Sequence, residues 1–321
     1  MSTLYLHIGL SKTGSTFLQK RVFSSLSGFD YLCKPAYELI NGRGTSLRRF
    51  FNQSAVVWRD LGDTLFHKLF GPVHTQREDV LISDENVCSQ EPSTRAEHLS
   101  EFNALAGKWG FDQVRVFGSV RHQASRFASS YAQISDSRIG ASQRDFENWV
   151  RQRIRGDYYR SDYYRSGVKY EYDLLWQSLT DVLGKENVLI LPYELMKQDL
   201  EDFLERCFVF MERESESERI IGQLMADKKE SRENVRSVSK NNWALRKCAK
   251  PNTKTFRLRP GRLVNALGLP ARIALPWPDF ARGDVIRLAP SLEHEIMQTY
   301  EESNRNLAKH IEIDLSAYNY Y

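Results

Sequence analysis

The stretch His7-Ile8-Gly9-Leu10-Ser11-Lys12-Thr13-Gly14-Ser15-Thr16 constrains this chain more than any other. An apolar run from Leu4 to Leu10 leads into it and reads as a buried strand. Phe17 to Leu26 follows, with apolar residues at helical spacing. A strand, a tight turn rich in Gly, Ser and Thr, and then a helix make an anion site. The turn amides and the helix N-terminus converge on one concavity, and the hydroxyls add donors. Lys12 adds a mobile positive charge. The plain alternative is an ordinary strand-to-helix turn with a Ser or Thr N-cap.

Gly9 and Gly14 have the separation found in a nucleoside-triphosphate P-loop, GxxxxGK[ST], yet Ser15 and Thr16 stand where its Lys and Ser/Thr would be. The lysine lies two positions before Gly14 instead. That moves the charge across the phosphate cradle and removes the clamp on a γ-phosphate. Lys12-Thr13-Gly14-Ser15-Thr16 resembles the 5′-phosphosulfate loop of sulfotransferases that use 3′-phosphoadenosine 5′-phosphosulfate (PAPS). In that family a Lys-[Ser/Thr]-Gly-[Thr/Ser]-Thr core follows the first strand.

A second stretch, Ser119 to Tyr131, carries Arg121, Arg126, Ser129 and Tyr131 in the spacing R-x4-R-x2-S-x-Y across a strand-to-helix junction. Arg121 leaves the strand end, and Ser129, two helical turns on, can share an anion with it. Arginine offers a forked, permanently charged donor suited to phosphate. The spacing is similar to the 3′-phosphate motif of the same family. It departs at His122-Gln123, where the family often has Asn-Pro. Arg126 and Tyr131 read equally well as helix anchors. Tyr193-Glu194 after a later strand resembles the segment whose Tyr lies by the adenine, although a half-buried aromatic at a strand end is the competing reading. The resemblance runs the length of the chain. Glu302-Ser303-Asn304-Arg305-Asn306-Leu307 and Asp314-Leu315-Ser316 resemble the tails of bacterial carbohydrate sulfotransferases, and Arg232 to Ser239 is a weak match to a loop closing over the nucleotide.

The order of elements supports an α/β fold. Apolar strands are expected at Val80-Leu81-Ile82, Val114 to Val120 and Asn187 to Leu191, with a short one between Gly28 and Cys33. Helical patterns fill Ser46 to Phe70, Ser93 (as cap) to Trp109, Ser142 to Ile154, Val168 to Leu183 and Ala289 to Ile311. Continuous apolar strands alternating with helices predict a P-loop-like, three-layer α/β/α domain around a central parallel sheet. Ligands of such sheets bind at the carboxyl ends of the strands. One domain spanning residues 1–321 is expected, with a less regular basic excursion at about 231–283 and a tail from Ile313 to Tyr321.

With 321 residues, 41% hydrophobic and 27% charged, the chain has ordinary soluble-globular composition. Its net charge of +4 does not imply nucleic acid and is compatible with an anionic ligand. Cys33, Cys88, Cys207 and Cys248 are scattered without CxxC pairs or nearby His, which argues against a zinc site or disulfide framework and for a reducing compartment. The first strand begins at once, leaving no room for a signal peptide, and no apolar run is long enough to span a bilayer. A cytoplasmic location is expected.

The resemblance implies sulfuryl transfer from PAPS to a hydroxyl, with no metal expected. Lys12 is the candidate for the charge growing on the bridging oxygen. Thr13, Gly14, Ser15 and Thr16 would hold the 5′-phosphate, Arg121 and Ser129 the 3′-phosphate, and Tyr193 the adenine. Glu85, just past Val80-Leu81-Ile82, is the candidate base, a solvated loop carboxylate being the alternative. His122 and His7 are weaker; His7 reads as a core histidine. The acceptor implied is a saccharide or glycolipid. Tyr158 to Arg165, a Tyr-Tyr-Arg duplication, offers aromatic faces and cations for one. Arg257, Arg259, Arg262 and Arg272 with Leu263, Leu267 and Leu269 form a basic, apolar stretch that reads as a solvated face rather than a membrane contact. The competing functions are a small-molecule kinase, with Asp84 as its magnesium ligand, and a non-catalytic nucleotide-binding protein.

Overall fold

The computed structural model describes residues 1–28, 30–33, 50–51, 53–74, 78–85, 87, 90–135, 140–155, 168–226, 242–244, 255–258, 273–276 and 285–321. Five strands, β1 (Thr3–His7), β2 (Asp30–Cys33), β3 (Val80–Ser83), β4 (Gln113–Val120) and β5 (Val188–Pro192), form one parallel sheet in the order β2-β3-β1-β4-β5. β1 is central, with Leu6 opposite Ile82 on one side and Val116 on the other.

The period-two alternation of each strand divides the core between two faces. Leu4, Leu6, Val80, Ile82, Val114, Val116, Val188 and Ile190 point to one face. There they meet α2 (Val56–Phe70), α3 (Pro92–Lys108) and α6 (Tyr172–Leu183). Tyr5, Leu81, Phe117 and Leu191 point to the other face. That face is covered by the helical segment after β1 and by α7 (Tyr193–Gln198), α8 (Leu200–Phe210) and α9 (Glu214–Ala226). Both faces are therefore buried, which is why the strands read as near-continuous apolar runs. A third apolar cluster joins α4 (Gln123–Ser135), α5 (Gln143–Ile154) and α10 (Pro290–Ala308) to Trp243 and Ile286. The last two residues face each other in an antiparallel pair, β6 (Asn242–Ala244) with β9 (Val285–Arg287).

Several expected boundaries move. The helical segment after β1 starts at Ser15 as α1 (Ser15–Phe17) and continues as a π-turn, Leu18–Val22, and a tight turn, Phe23–Ser25. α3 is capped by Glu91 with Pro92 at its first position, not by Ser93, because proline there has no amide to lose. The helix expected over Val168 to Leu183 breaks at the extended Glu171 into a short turn, Val168–Tyr170, and α6. Within the 231–283 excursion the described residues are strands: β6, and β7 (Thr255–Leu258) paired antiparallel with β8 (Ile273–Pro276). The tail is not loose, since Leu315 and Tyr320 are fully buried. The Tyr158–Arg165 duplication, Arg232 to Ser239, Arg259, Arg262 and Arg272 lie outside the described residues, as do the side chain of Arg257 and the three leucines near it.

Candidate active site

The loop after β1 leaves the sheet between two neighbouring strand ends. Ile8 N–H donates to the Phe117 carbonyl at 2.9 Å, and Asp84 N–H donates to the His7 carbonyl at 3.1 Å. The chain then turns through two left-handed residues, Lys12 (φ 74°) and Gly14 (φ 80°). Gly14 caps the following helical segment, its carbonyl accepting from Phe17 and Leu18 amides at 2.9 and 3.2 Å. The amides of Ser15 and Thr16 thus precede the first helical donors. A Cβ on Gly14 would lie 2.1 Å from Met196 Cε, and one on Gly9 would lie 2.8 Å from His7 Cε1. Thr13 is buried, and its hydroxyl donates to the Leu10 carbonyl at 2.5 Å, so its proton is used inside the turn.

His7 forms the floor of this loop. Its Nδ1 lies 2.7 Å from Ser83 Oγ, and Gln19 donates to the same oxygen at 3.0 Å. Burial lowers its pKa from 6.5 to about 3, so the ring is neutral and cannot supply a cation. It is the core histidine the alternation around it predicts.

Arg121, one residue past β4, reaches across to the loop. Its Nη1 donates to the Lys12 carbonyl at 2.9 Å, and its guanidinium lies 4.9 Å from the ring centre of Tyr193, the residue after β5. The Arg121 carbonyl accepts from the Tyr172 hydroxyl at 2.6 Å. Arg121 Nε is buried without a hydrogen-bond partner among the described residues. Three strand ends, those of β1, β4 and β5, therefore meet at Lys12, Arg121 and Tyr193. Ser129 is half-buried on α4.

Arg126 and Tyr131 resolve toward the structural alternative. Arg126 is buried, donates to the Lys169 carbonyl at 3.2 Å and the Tyr172 hydroxyl at 3.3 Å, and lies 4.6 Å from the Tyr170 ring centre. The Tyr131 hydroxyl donates to Asp145 Oδ2 at 2.6 Å, tying α4 to the first turn of α5. Both residues share the inward face of an amphipathic helix.

Lys12 and Glu85 are within electrostatic reach of one another. Burial lowers the Lys12 pKa, the Glu85 charge raises it, and Arg121 lowers it. Glu85 is half-buried, and its neighbour Asp84 is fully buried beside the loop. His122 is buried, and its pKa falls to about 4, chiefly through burial. It immediately precedes α4, its carbonyl accepting from Arg126 N–H at 2.9 Å.

The sequence matches the family described as Sulfotransferase domain over residues 5–256. This chain belongs to the sulfotransferase family. It is a PAPS-dependent sulfotransferase, and the transferred group is a sulfuryl group. The whole fold is shared with a sulfotransferase from Alicyclobacillus acidocaldarius, at TM-score 0.52 and 16% identity over 98% of each chain. A mouse sulfotransferase, SULT7A1 in complex with PAP, is more distant, at TM-score 0.39 and 14% identity over 69% of this chain and 63% of its own. No curated protein matches the sequence. Among the described residues no helix is long and apolar enough to cross a membrane, and no cluster of three His, Cys, Asp or Glu could hold a metal ion.

The Lys12–Thr16 turn and the Arg121 guanidinium adjoin, and among the described residues Arg121 Nε is buried without a hydrogen-bond partner. Sequence reasoning missed two contributors. Tyr172 fixes the Arg121 carbonyl, and Tyr320 contacts Glu194 through a hydrogen bond of 2.8 Å. Neither carries a local motif, so only the folded chain brings them to the site.

Proposed function

We propose that this enzyme transfers the sulfuryl group of PAPS to a hydroxyl of a saccharide or glycolipid, as a single cytoplasmic domain. The observation that carries the site assignment is the Arg121 guanidinium, which holds the Lys12 carbonyl and covers the Tyr193 ring. PAPS supplies the activated sulfuryl group and a phosphate leaving group that is already a weak base. The amides of the Lys12–Thr16 turn, with the Ser15 and Thr16 hydroxyls, hold the 5′-phosphate. Arg121 and Ser129 hold the 3′-phosphate, and Tyr193 lies against the adenine.

Lys12 places its ammonium where charge develops on the bridging oxygen. Its partial burial means that less water competes for that charge, so the attraction is stronger than at a solvated lysine. Glu85, within electrostatic reach of Lys12, takes the proton of the attacking hydroxyl. The saccharide class rests on the resemblance of the tail segment to bacterial carbohydrate sulfotransferases.

The test has two stages. Calorimetric titration with 3′-phosphoadenosine 5′-phosphate should show metal-free binding that is lost in Arg121→Ala. Tighter binding of ATP with magnesium would defeat the site assignment. Turnover of labelled PAPS on a panel of glycans and phenols then decides the acceptor, and activity confined to phenols would remove the saccharide reading.

A further inference from the structure

A buried polar network connects the segment after α10 to the turn that carries Arg121. The Tyr320 side chain is fully buried, and its hydroxyl donates to Glu194 Oε2 at 2.8 Å. The other carboxylate oxygen, Glu194 Oε1, accepts from the backbone N–H of His122 at 3.2 Å. The His122 ring stands edge-on to Tyr320, with centroids 5.9 Å apart and planes at 87°. A second link runs in parallel. Asn304 donates to the Tyr320 carbonyl at 2.8 Å, and Gln123 donates to Asn304 Oδ1 at 2.6 Å. Residues 122 and 123 are thus each held by a chain of contacts ending at Tyr320, one through its hydroxyl and one through its carbonyl.

Arg121 is the residue before this pair, and Glu194 is the residue after Tyr193. Glu194 therefore sits behind both residues assigned to the nucleotide. It contacts the backbone of one turn while belonging to the other. The segment from Leu315 onward is anchored independently, since Leu315 is fully buried in the main core and its carbonyl accepts from Tyr320 N–H at 3.2 Å. Tyr320 is consequently presented to Glu194 from a fixed base. A buried carboxylate satisfied on one oxygen by a hydroxyl and on the other by an amide has a defined orientation. Remove the hydroxyl and that orientation is lost while the surrounding packing stays.

We propose that Tyr320 is a positioning residue for 3′-phosphate recognition: through Glu194 it fixes the His122 amide, and with it the turn that aims Arg121. This rests on the assignment of Arg121 to the 3′-phosphate. Tyr320 is fully buried and acts through Glu194, so the effect is read in discrimination between nucleotides rather than in binding alone. Burial already raises the Glu194 pKa, and the Tyr320 hydrogen bond opposes that rise, so the hydroxyl also helps to keep the carboxylate charged.

The experiment is calorimetry on the full chain with two probes, 3′-phosphoadenosine 5′-phosphate and adenosine 5′-phosphate, which lacks the 3′-phosphate. In Tyr320→Phe the first should weaken about tenfold, the effect of one hydrogen bond to a charged group, with the second changed less than about twofold. Steady-state kinetics should show a raised KM for PAPS with little change in kcat. Glu194→Gln should shift the ratio in the same direction and decides the matter if Tyr320→Phe does not fold. Equal weakening of both probes would make Tyr320 merely structural and overturn the proposal, as would an unchanged ratio. If the unsubstituted enzyme itself fails to prefer the 3′-phosphorylated probe, the Arg121 assignment fails first and the proposal with it.

Discussion

Lys12 carries two features that ordinarily conflict. It is a non-glycine residue held in the left-handed region, and its charge is partly stripped of water. A left-handed non-glycine residue costs about 1–2 kcal/mol, and the Arg121 bond to the Lys12 carbonyl offsets part of that. Lys12→Ala is expected to lower kcat by about 10²–10³-fold, the effect of removing one preorganised transition-state contact, with a smaller change in PAPS affinity. Stopped-flow turnover checks this against equilibrium titration. Glu85→Gln should lower kcat by about 10²–10⁴-fold while leaving the affinity for 3′-phosphoadenosine 5′-phosphate nearly unchanged. Full activity in that variant would remove Glu85 as the base. Because Arg121 touches the Lys12 backbone, Arg121→Ala and Lys12→Ala should be non-additive in a double-mutant cycle.

At the scale of elements, the loop and the helical segment it starts are seated on a neighbour rather than on solvent. Gly14 packs against Met196 and Tyr193 of α7, whereas Gly71, which ends α2, has open space around it. Both have positive φ, but Gly14 (φ 80°, ψ 6°) is left-handed helical and Gly71 (φ 73°, ψ −158°) lies in a region essentially reserved for glycine. Gly71→Ala should cost about 1–3 kcal/mol from backbone strain without any collision. Gly14→Ala adds to a left-handed penalty of about 1–2 kcal/mol the displacement of Met196 Cε, 2.1 Å from the new Cβ, and it should also weaken nucleotide binding. Denaturant melts measure both losses, and a Gly14→Ala loss no larger than about 1–2 kcal/mol would mean that Met196 yields freely. The same contrast shows what sequence could reveal. Strands β1, β3, β4 and β5 were readable because both sheet faces are buried, which leaves uninterrupted apolar runs. The Lys12–Thr16 turn and Arg121 stood out because phosphate chemistry dictates residue type and spacing, and the fold brings the two side by side. Arg126 and Tyr131 fit the same spacing yet point into the core, since spacing along α4 cannot say which face turns inward. The Tyr320–Glu194 contact joins residues far apart in sequence, and no period or motif records such a pair.

The candidate site lies at the carboxyl ends of β1, β4 and β5, and two histidines buried there make the protein acid-sensitive. His7 and His122 are both held neutral by burial, with pKa values lowered from 6.5 to about 3 and about 4. In the unfolded chain each takes up a proton near pH 6.5. Below that pH the unfolded state therefore binds more protons than the native state, and stability falls as pH drops. The loss ends only when the native residues themselves protonate, near pH 4 for His122 and near pH 3 for His7. Each group contributes about 1.4 kcal/mol per pH unit within its window. Glu194, whose pKa is raised by burial, acts in the opposite sense at the lower end, so the clean quantity is a difference between two proteins. His122→Asn keeps a side-chain acceptor at the start of α4 and cannot titrate. Between about pH 6 and about pH 4.5, the slope of its unfolding free energy against pH should be shallower than that of the unsubstituted protein by about one proton, or about 1.4 kcal/mol per unit. Urea melts at a series of pH values measure both slopes. Identical slopes would mean that the native His122 ring titrates as freely as in the unfolded chain. The buried junction of β4, α4 and Tyr320 would then be open to water.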